Sequence, residues 1–175
     1  YLISASAFRP VKRHDILLDA YKKSGIKLKL VLLCSNTKEL VDMIKERDLE
    51  NSVEILGFRT NPYPYIKNAD YFILPTRSEA YPLVINEALA LEKPIISTNV
   101  GGIPEMIEDG IDGLLVNYDE NEIYTVMKKN FTHPELVEKI KQNTTESYKK
   151  FDAQKIYNQV TEVFEQQYQL KLANE

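Results

Sequence analysis

The fold of this chain is decided by two short apolar runs, Leu28-Lys29-Leu30-Val31-Leu32-Leu33 at residues 28–33 and Tyr71-Phe72-Ile73-Leu74 at residues 71–74. Runs of this kind are typical of strands covered on both faces, as in a parallel sheet. Similar runs alternate with amphipathic stretches, which is the pattern of βαβ units. The predicted strands lie near 1–8, 28–34, 53–56, 71–75, 95–98 and 113–116, and the predicted helices near 13–24, 37–48, 63–68, 83–91, 103–109 and 119–129.

These elements predict an α/β fold, namely a single Rossmann-like parallel six-stranded sheet with helices on both faces. We expect this domain to occupy residues 1–130. Residues 131–175 carry only helical signals and predict a helical C-terminal tail that packs on the sheet domain. Asp152 is placed to cap its last helix. The apolar positions of that helix form one stripe that needs a cover: Ile156, Val160, Val163, Phe164 and Tyr168.

Length and composition fit one globular domain of 175 residues with a net charge of -4. That charge argues against a nucleic-acid partner, which usually requires a dense basic patch. No apolar run reaches the roughly 18 to 20 residues of a membrane-spanning helix, no signal peptide precedes the first strand, and the single cysteine, Cys34, is interpreted as a core residue. We therefore expect a cytoplasmic protein. Because the chain opens inside an apolar run without an initiator Met, we also expect it to be part of a longer protein.

The segment 74–88 runs from the end of a predicted buried strand through a loop into a helix. Ligands of open parallel sheets bind outside the carboxyl ends of the strands, where such loops lie. Pro82 suits the first helical position, because its missing N–H would have no partner there. The N–H groups of Leu83 and Val84 are then free to bind a phosphate.

Two carboxylates flank this turn, Glu79 on the loop and Glu87 in the helix. A carboxylate accepts two hydrogen bonds from a vicinal diol, such as a ribose or a sugar ring. Two arbitrary glutamates would be solvated surface residues, so the interpretation depends on the residues around them.

The surrounding sequence resembles the GT-B glycosyltransferases of the retaining group 1, or family 4, class. Glu79 and Glu87 enclose seven residues and match the Glu-x7-Glu signature of that family. Further matching segments follow in the family's order: 87–98, Val100 to Ile107, Asp109-Gly110 and Gly113 to Val116. A Glu-x7-Glu pair alone is a weak signal, but the ordered set over 74–116 is a strong one, and the similarity extends from about residue 3 to 130.

The resemblance implies roles for individual residues. Glu79 would be the catalytic residue, placed beside the hydroxyls of the donor sugar, and Glu87 would hold the donor ribose. The backbone of Tyr81, Pro82, Leu83 and Val84 would contact the sugar and the diphosphate, and the nucleobase would pack on Phe58 and Arg59, in the turn after the third strand.

The family neutralises the donor diphosphate with an Arg and a Lys five residues apart. Lys12 stands at the Lys position, but Ala7 stands at the Arg position. Arg9 is the nearest substitute for the missing arginine. Because it lies two residues after Ala7 at the end of a strand, its side chain is expected on the same side as that of Ala7, with a shifted reach. Positive groups placed where the leaving diphosphate gains charge are usually the largest catalytic term.

The sequence contains no Asp-x-Asp motif, and His14 and His133 have no credible metal partners. We therefore expect a metal-independent reaction with no metal site and no cofactor, the nucleotide-diphospho-sugar being the donor substrate.

Three further positions depart from the family pattern. Cys34-Ser35-Asn36 replaces a Gly-x-Gly turn, and Ala80-Tyr81-Pro82 replaces Gly-Phe-Gly, which limits how closely the backbone can approach the sugar. Glu92 stands where a helix-ending Gly is usual, which costs on the order of 1 kcal/mol if its φ is positive.

Taken together, the residues and the resemblance predict the donor-binding half of a retaining glycosyltransferase. The acceptor would bind mainly to an N-terminal domain absent from this chain, towards which the C-terminal helices would pack, so we expect no transfer by the chain alone. Any contact with the inner face of a membrane would be peripheral and belong to the absent half. The alternatives are a non-catalytic nucleotide-sugar-binding module and a sugar-nucleotide epimerase of the same fold.

Overall fold

The computed structural model describes residues 1–172, apart from the side chains of residues 130–132, 134 and 136. Its strands are β1 (Leu2–Ala5), β2 (Leu30–Leu33), β3 (Val53–Ile55), β4 (Tyr71–Leu74), β5 (Ile95–Thr98) and β6 (Gly113–Val116). Its helices are α1 (His14–Ser24), α2 (Lys38–Lys45), α3 (Tyr63–Lys67), α4 (Leu83–Ala90), α5 (Ile103–Met106), α6 (Glu120–Thr132), α7 (Pro134–Tyr148) and α8 (Ala153–Leu172). Short 3₁₀ turns lie at Pro10–Lys12 and Lys149–Phe151.

The six strands form one sheet in the order β3-β2-β1-β4-β5-β6, and every neighbouring pair is parallel. The predicted Rossmann-like α/β fold with a helical tail is therefore confirmed. The strand order reverses between β1 and β4, so the loops that follow these two strands meet at one point on the carboxyl edge of the sheet. Such a switch point is where open α/β sheets bind their ligands.

Alternation along the strands builds a core on each face of the sheet. In β4, Tyr71 and Ile73 pack with α1, α2 and α6, whereas Phe72 and Leu74 pack with α3, α4 and α5. Phe72, Ile73 and Leu74 are fully buried. A strand covered on both faces must be apolar at every position, which explains the unbroken run in the sequence.

Several elements are shorter than predicted, and for two of them the contacts show the reason. The first strand ends at Ala5 instead of residue 8, because its neighbour β2 ends at Leu33, the register partner of Ala5. The helix predicted over 103–109 ends at Met106, because Ile107 is extended and the next backbone N–H, that of Glu108, donates to the carboxylate of the buried Asp112 at 2.8 Å.

The last two helices of the tail differ in burial. Helix α7 packs against α4 and α6 and buries Ile140 and Thr144. Helix α8 begins after Asp152, whose carboxylate accepts the N–H of Lys155 at 2.8 Å, so the predicted cap is confirmed. No residue of α8 is buried. Its apolar stripe lies open to solvent, with exposed fractions from 44% at Ile156 to 72% at Phe164.

No helix within residues 1–172 combines the length and the apolar character needed to cross a bilayer.

Candidate functional site

A pocket of about 300 Å³ opens at the carboxyl edge of the sheet. Its walls come from four places in the chain that the parallel topology brings to the same edge: the ends of β1 and β2, the turn after β3, and the first turns of α4. We call it the edge pocket. The lining residues used below are Ala7, Cys34, Phe58, Arg59, Val84 and Glu87.

The carboxylate of Glu87 is the charged acceptor of the edge pocket. Glu87 lies in the second turn of α4 and is half-buried, and this burial raises its pKa above the ordinary value of a glutamate. No hydrogen bond or ion pair to its carboxylate is formed by the side chains and backbone of the described residues. A desolvated carboxylate without a partner is able to accept hydrogen bonds from a ligand diol.

The turn after β3 supplies an aromatic surface. Gly57 has a φ of 74°, a left-handed conformation that turns the chain away from the strand. Phe58 follows it and is 80% exposed while lining the pocket. The guanidinium of Arg59 makes a cation–π contact with Tyr65, 5.8 Å from the centroid of its ring. The exposed ring of Phe58 is suited to stacking with a planar ligand group.

The N-terminus of α4 borders the pocket, and Pro82 precedes the helix instead of being its first residue as predicted. Pro82 is buried and is the N-cap, with an extended backbone (φ −75°, ψ 101°), and Leu83 is the first helical residue. Because the first N–H groups of a helix have no intrahelical acceptor, those of Leu83 and Val84 remain available to an anion. Leu83 is 67% exposed and Tyr81 is 45% exposed. The hydroxyl of Tyr81 accepts a hydrogen bond from the side-chain amide of Asn86 at 3.3 Å.

Lys12 and Glu79 form an ion pair where the loops after β1 and β4 meet. Only 19% of the lysine side chain and 14% of the glutamate side chain are exposed. The two loops are joined through the carbonyl oxygen of Val11, which accepts the N–H of Arg77 at 2.8 Å and the hydroxyl of Thr76 at 3.1 Å. The topology thus brings together two of the predicted site residues that are far apart in sequence.

A glycine pair supports the loop that carries Glu79. The N–H of Gly102 donates to the carbonyl of Glu79 at 3.1 Å. A Cβ atom at Gly101 would overlap the carbonyl oxygen of Glu79, and one at Gly102 would overlap that of Ala80. Sequence reasoning noted this pair as part of the family pattern but gave it no structural role. The available signal was two adjacent glycines in the loop that follows a strand, since glycine often marks a close approach of two backbone segments.

Arg9 lies apart from the edge pocket. It lines a second pocket of about 440 Å³ together with Arg77, whereas Ala7 lines the edge pocket. The argument that positions 7 and 9 share a side is wrong, because β1 ends at Ala5 and strand alternation does not extend to them. The structure therefore brings Phe58, Arg59, Val84 and Glu87 together in the edge pocket, and Lys12 together with Glu79.

Two potentially reactive side chains near the carboxyl edge are held neutral by burial. Burial raises the pKa of the Cys34 thiol to about 11, in agreement with its interpretation as a core residue. Burial lowers the pKa of His14 to about 4. In the part of the chain that the structure describes, no three His, Cys, Asp or Glu side chains are grouped so that they could hold a metal ion.

The predicted backbone strain at Glu92 is confirmed, since its φ is 59°. Glu92 follows α4 in a Schellman arrangement, in which its N–H donates to Leu89 and that of Lys93 donates to Ala88, both at 2.9 Å. Its carboxylate accepts the hydroxyl of Thr145 in α7 at 3.0 Å.

Comparison with known proteins identifies the family. A family model described as "Glycosyl transferases group 1" matches residues 1–147. A Campylobacter jejuni relative, N-acetylgalactosamine-N,N'-diacetylbacillosaminyl-diphospho-undecaprenol 4-alpha-N-acetylgalactosaminyltransferase, is 32% identical over 160 residues, which cover 89% of this chain and 44% of that protein. The chain spans less than half the length of the first relatives it matches.

Solved structures agree with this assignment. Anabaena HepE in complex with UDP-glucose superposes with a TM-score of 0.85 at 25% identity, covering 94% of this chain and 48% of that one. The C-terminal domain of a group 1 glycosyl transferase from Francisella tularensis superposes with a TM-score of 0.75 at 23% identity, covering 86% of this chain and 85% of that one. The chain therefore belongs to the group 1 glycosyltransferases and corresponds to the C-terminal domain of that family.

Proposed function

We propose that this chain is the donor-binding half of a retaining, metal-independent glycosyltransferase. Its site would bind a nucleotide-diphospho-sugar, and the complete protein would transfer the sugar to an acceptor hydroxyl. The observation that carries this proposal is the half-buried, unpartnered carboxylate of Glu87 in the edge pocket. A half-buried carboxylate whose oxygens have no protein donor keeps its acceptor capacity, so a ligand with hydrogen-bond donors is its natural complement.

The nucleoside fits the chemistry of the edge pocket. The two ribose hydroxyls donate to the oxygens of Glu87, and the base lies against the exposed ring of Phe58. Arg59 lines the same pocket. UDP-glucose bound to Anabaena HepE makes a uridine nucleotide the first donor to test.

The diphosphate fits the N-terminus of α4, which borders the pocket. The free N–H groups of Leu83 and Val84 point a helix dipole at the anion, and Lys12, which is paired with Glu79 where the loops after β1 and β4 meet, would add a full positive charge. These groups act where negative charge grows as the sugar–phosphate bond breaks, which lowers the barrier without a metal. We propose that no metal and no cofactor other than the donor is required.

The donor sugar would lie towards Glu79, whose carboxylate would accept hydrogen bonds from the hydroxyls of the sugar. We do not assign Glu79 as a covalent nucleophile. In the proposed reaction the acceptor hydroxyl attacks the anomeric carbon from the face on which the diphosphate departs, so the configuration at this carbon is retained. The leaving diphosphate takes up the proton of the acceptor hydroxyl.

The other half of the site would come from the rest of the protein. The open stripe on α8, from Ile156 to Tyr168, is a row of exposed apolar side chains of the kind that marks a protein–protein contact. The chain also spans less than half of its relatives. We propose that a preceding domain covers the stripe and binds the acceptor, that the chain alone transfers no sugar, and that the protein acts in the cytoplasm, reaching a membrane only through that domain.

Isothermal titration calorimetry of the chain with UDP, GDP, ADP and their glucose conjugates tests the proposal. We expect one nucleotide series to bind with the same affinity in the presence and absence of EDTA. Lack of binding by all of them would refute the donor-site assignment and leave a domain that has lost this function. In transfer assays we expect the chain alone to be inactive and the complete protein to be active in EDTA.

A further inference from the structure

Lys12 and Glu79 have separate roles in the proposed function, yet in the structure they are bound to each other. Lys12 would neutralise the diphosphate and Glu79 would contact the sugar, so both groups should be available to the donor. Instead the Nζ of Lys12 donates to Oε1 of Glu79, and both side chains are more than four-fifths buried. In the described part of the chain, neither side chain has another ion-pair partner.

The backbones on both sides of the pair are fixed. Val11, adjacent to Lys12, is bonded through its carbonyl to Thr76 and Arg77. The carbonyl of Glu79 is held by the N–H of Gly102, and the absence of a side chain at Gly101 is needed for this approach. The pair can open by movement of the two side chains without a change in these backbone contacts, because the four-carbon stem of lysine is flexible.

A diphosphate entering this site competes with the carboxylate of Glu79 for the same ammonium group. The diphosphate carries more negative charge than one carboxylate, and it has additional donors at the N-terminus of α4. A carboxylate left beside the diphosphate would also repel it. Binding of the nucleotide thus favours transfer of Lys12 from Glu79 to the phosphate oxygens.

We propose that the Lys12–Glu79 ion pair is a latch that the donor diphosphate opens. When Lys12 moves to the diphosphate, the carboxylate of Glu79 becomes free to accept hydrogen bonds from the sugar. Contact with the sugar then depends on the presence of the diphosphate, and this coupling is reciprocal. The inference rests on the proposed function, and it adds that Glu79 opposes the binding of a nucleotide that carries no sugar.

The test is the affinity for UDP, measured by calorimetry on the chain and on the Glu79→Gln, Lys12→Met and doubly substituted variants. We expect Glu79→Gln to bind UDP about three- to tenfold more tightly than the unchanged chain, because a competing charge-assisted contact of about that strength is removed. Lys12→Met should bind UDP more weakly. On the Lys12→Met background, Glu79→Gln should give no more than the small gain expected from removing a negative charge.

Controls separate the latch from general charge and folding effects. Glu105→Gln removes the same charge from an exposed residue of α5 and should leave UDP affinity unchanged. Glu79→Asp keeps the charge but shortens the side chain by one methylene, so its affinity should lie between those of the unchanged chain and Glu79→Gln. A second result is expected from UDP-glucose. The ratio of the affinity for UDP-glucose to that for UDP should be lower in Glu79→Gln than in the unchanged chain.

The possible results distinguish the two proposals. If the unchanged chain binds UDP and Glu79→Gln binds it equally or more weakly, the latch is wrong and the donor site stands. If neither the unchanged chain nor any variant binds UDP, GDP or ADP, the proposed function and the latch are both wrong. If only Glu79→Gln binds, the latch is supported.

Discussion

The two glutamates of the Glu-x7-Glu signature lie in regions with opposite electrostatic states. Glu79, on the loop after β4, is paired with Lys12 and held on a glycine turn. Glu87, on α4, lines a pocket without a partner, and burial raises its pKa. One carboxylate of the proposed donor site is therefore already able to accept hydrogen bonds from a ligand, whereas the other would do so only after its ion pair with Lys12 opens.

The largest effect is expected on the support of the Glu79 loop. Gly101→Ala should lower the free energy of unfolding by about 3 kcal/mol or more, because the new Cβ overlaps the carbonyl of Glu79 at a φ of 55°. The matched control is Gly25→Ala, which has a φ of 64° with no atom within 4 Å of the added Cβ, and should lose only about 1 kcal/mol. Urea denaturation measures both, and equal losses would contradict the overlap.

The next largest effect is on UDP affinity, which substitutions of Glu87 and Glu79 should change in opposite directions. Glu87→Gln should weaken UDP binding about tenfold or more, since hydrogen bonds to a charged acceptor contribute about 1.5–3 kcal/mol. Glu79→Gln is expected to have the opposite effect. Calorimetry on both variants measures this comparison, and tighter UDP binding by Glu87→Gln would exclude it as the ribose contact.

The pH dependence of stability gives a smaller effect. Burial raises the folded-state pKa of Glu87 above its unfolded value, so folding favours the protonated form. Its favourable contribution is present below the unfolded pKa and is lost as the pH rises through the folded pKa. Glu87→Gln should therefore melt at a higher temperature than the unchanged chain at pH 7, and the difference should shrink towards pH 4. A constant difference across this range would mean that burial of the charge is not its cause.

The smallest effect lies at the end of the helix that carries Glu87. Glu92→Gly should be more stable than Glu92→Ala by about 1 kcal/mol, because both variants lose the contact with Thr145 but only glycine relieves the positive φ. Chemical denaturation compares the two. Equal stabilities would show that the left-handed conformation at this position carries no strain.

Much of the fold could be predicted from local sequence. Strand β4 is apolar throughout because both its faces are covered, and Asp152 caps α8 as its position indicated. The end of β1 could not be predicted from its own residues, since it depends on where β2 ends. Because the strand was predicted to continue to residue 8, Arg9 was wrongly expected on the same side as Ala7, whereas the two residues line different pockets.

The family resemblance named Glu79, Glu87 and Lys12 as candidate site residues, but it did not predict the ion pair between Lys12 and Glu79. The ion pair joins residues more than 60 positions apart, and the loops that carry them are held by the carbonyl of Val11 and by the turn at Gly101. Such contacts have no local sequence signal, because the sheet topology creates them.

The decisive experiment is a crystal structure of the chain with UDP bound. We expect UDP to occupy the edge pocket, with the ribose hydroxyls within hydrogen-bond distance of Glu87 and with Lys12 turned from Glu79 to the diphosphate. UDP bound elsewhere, or in the pocket without contact between Glu87 and the ribose, would contradict it.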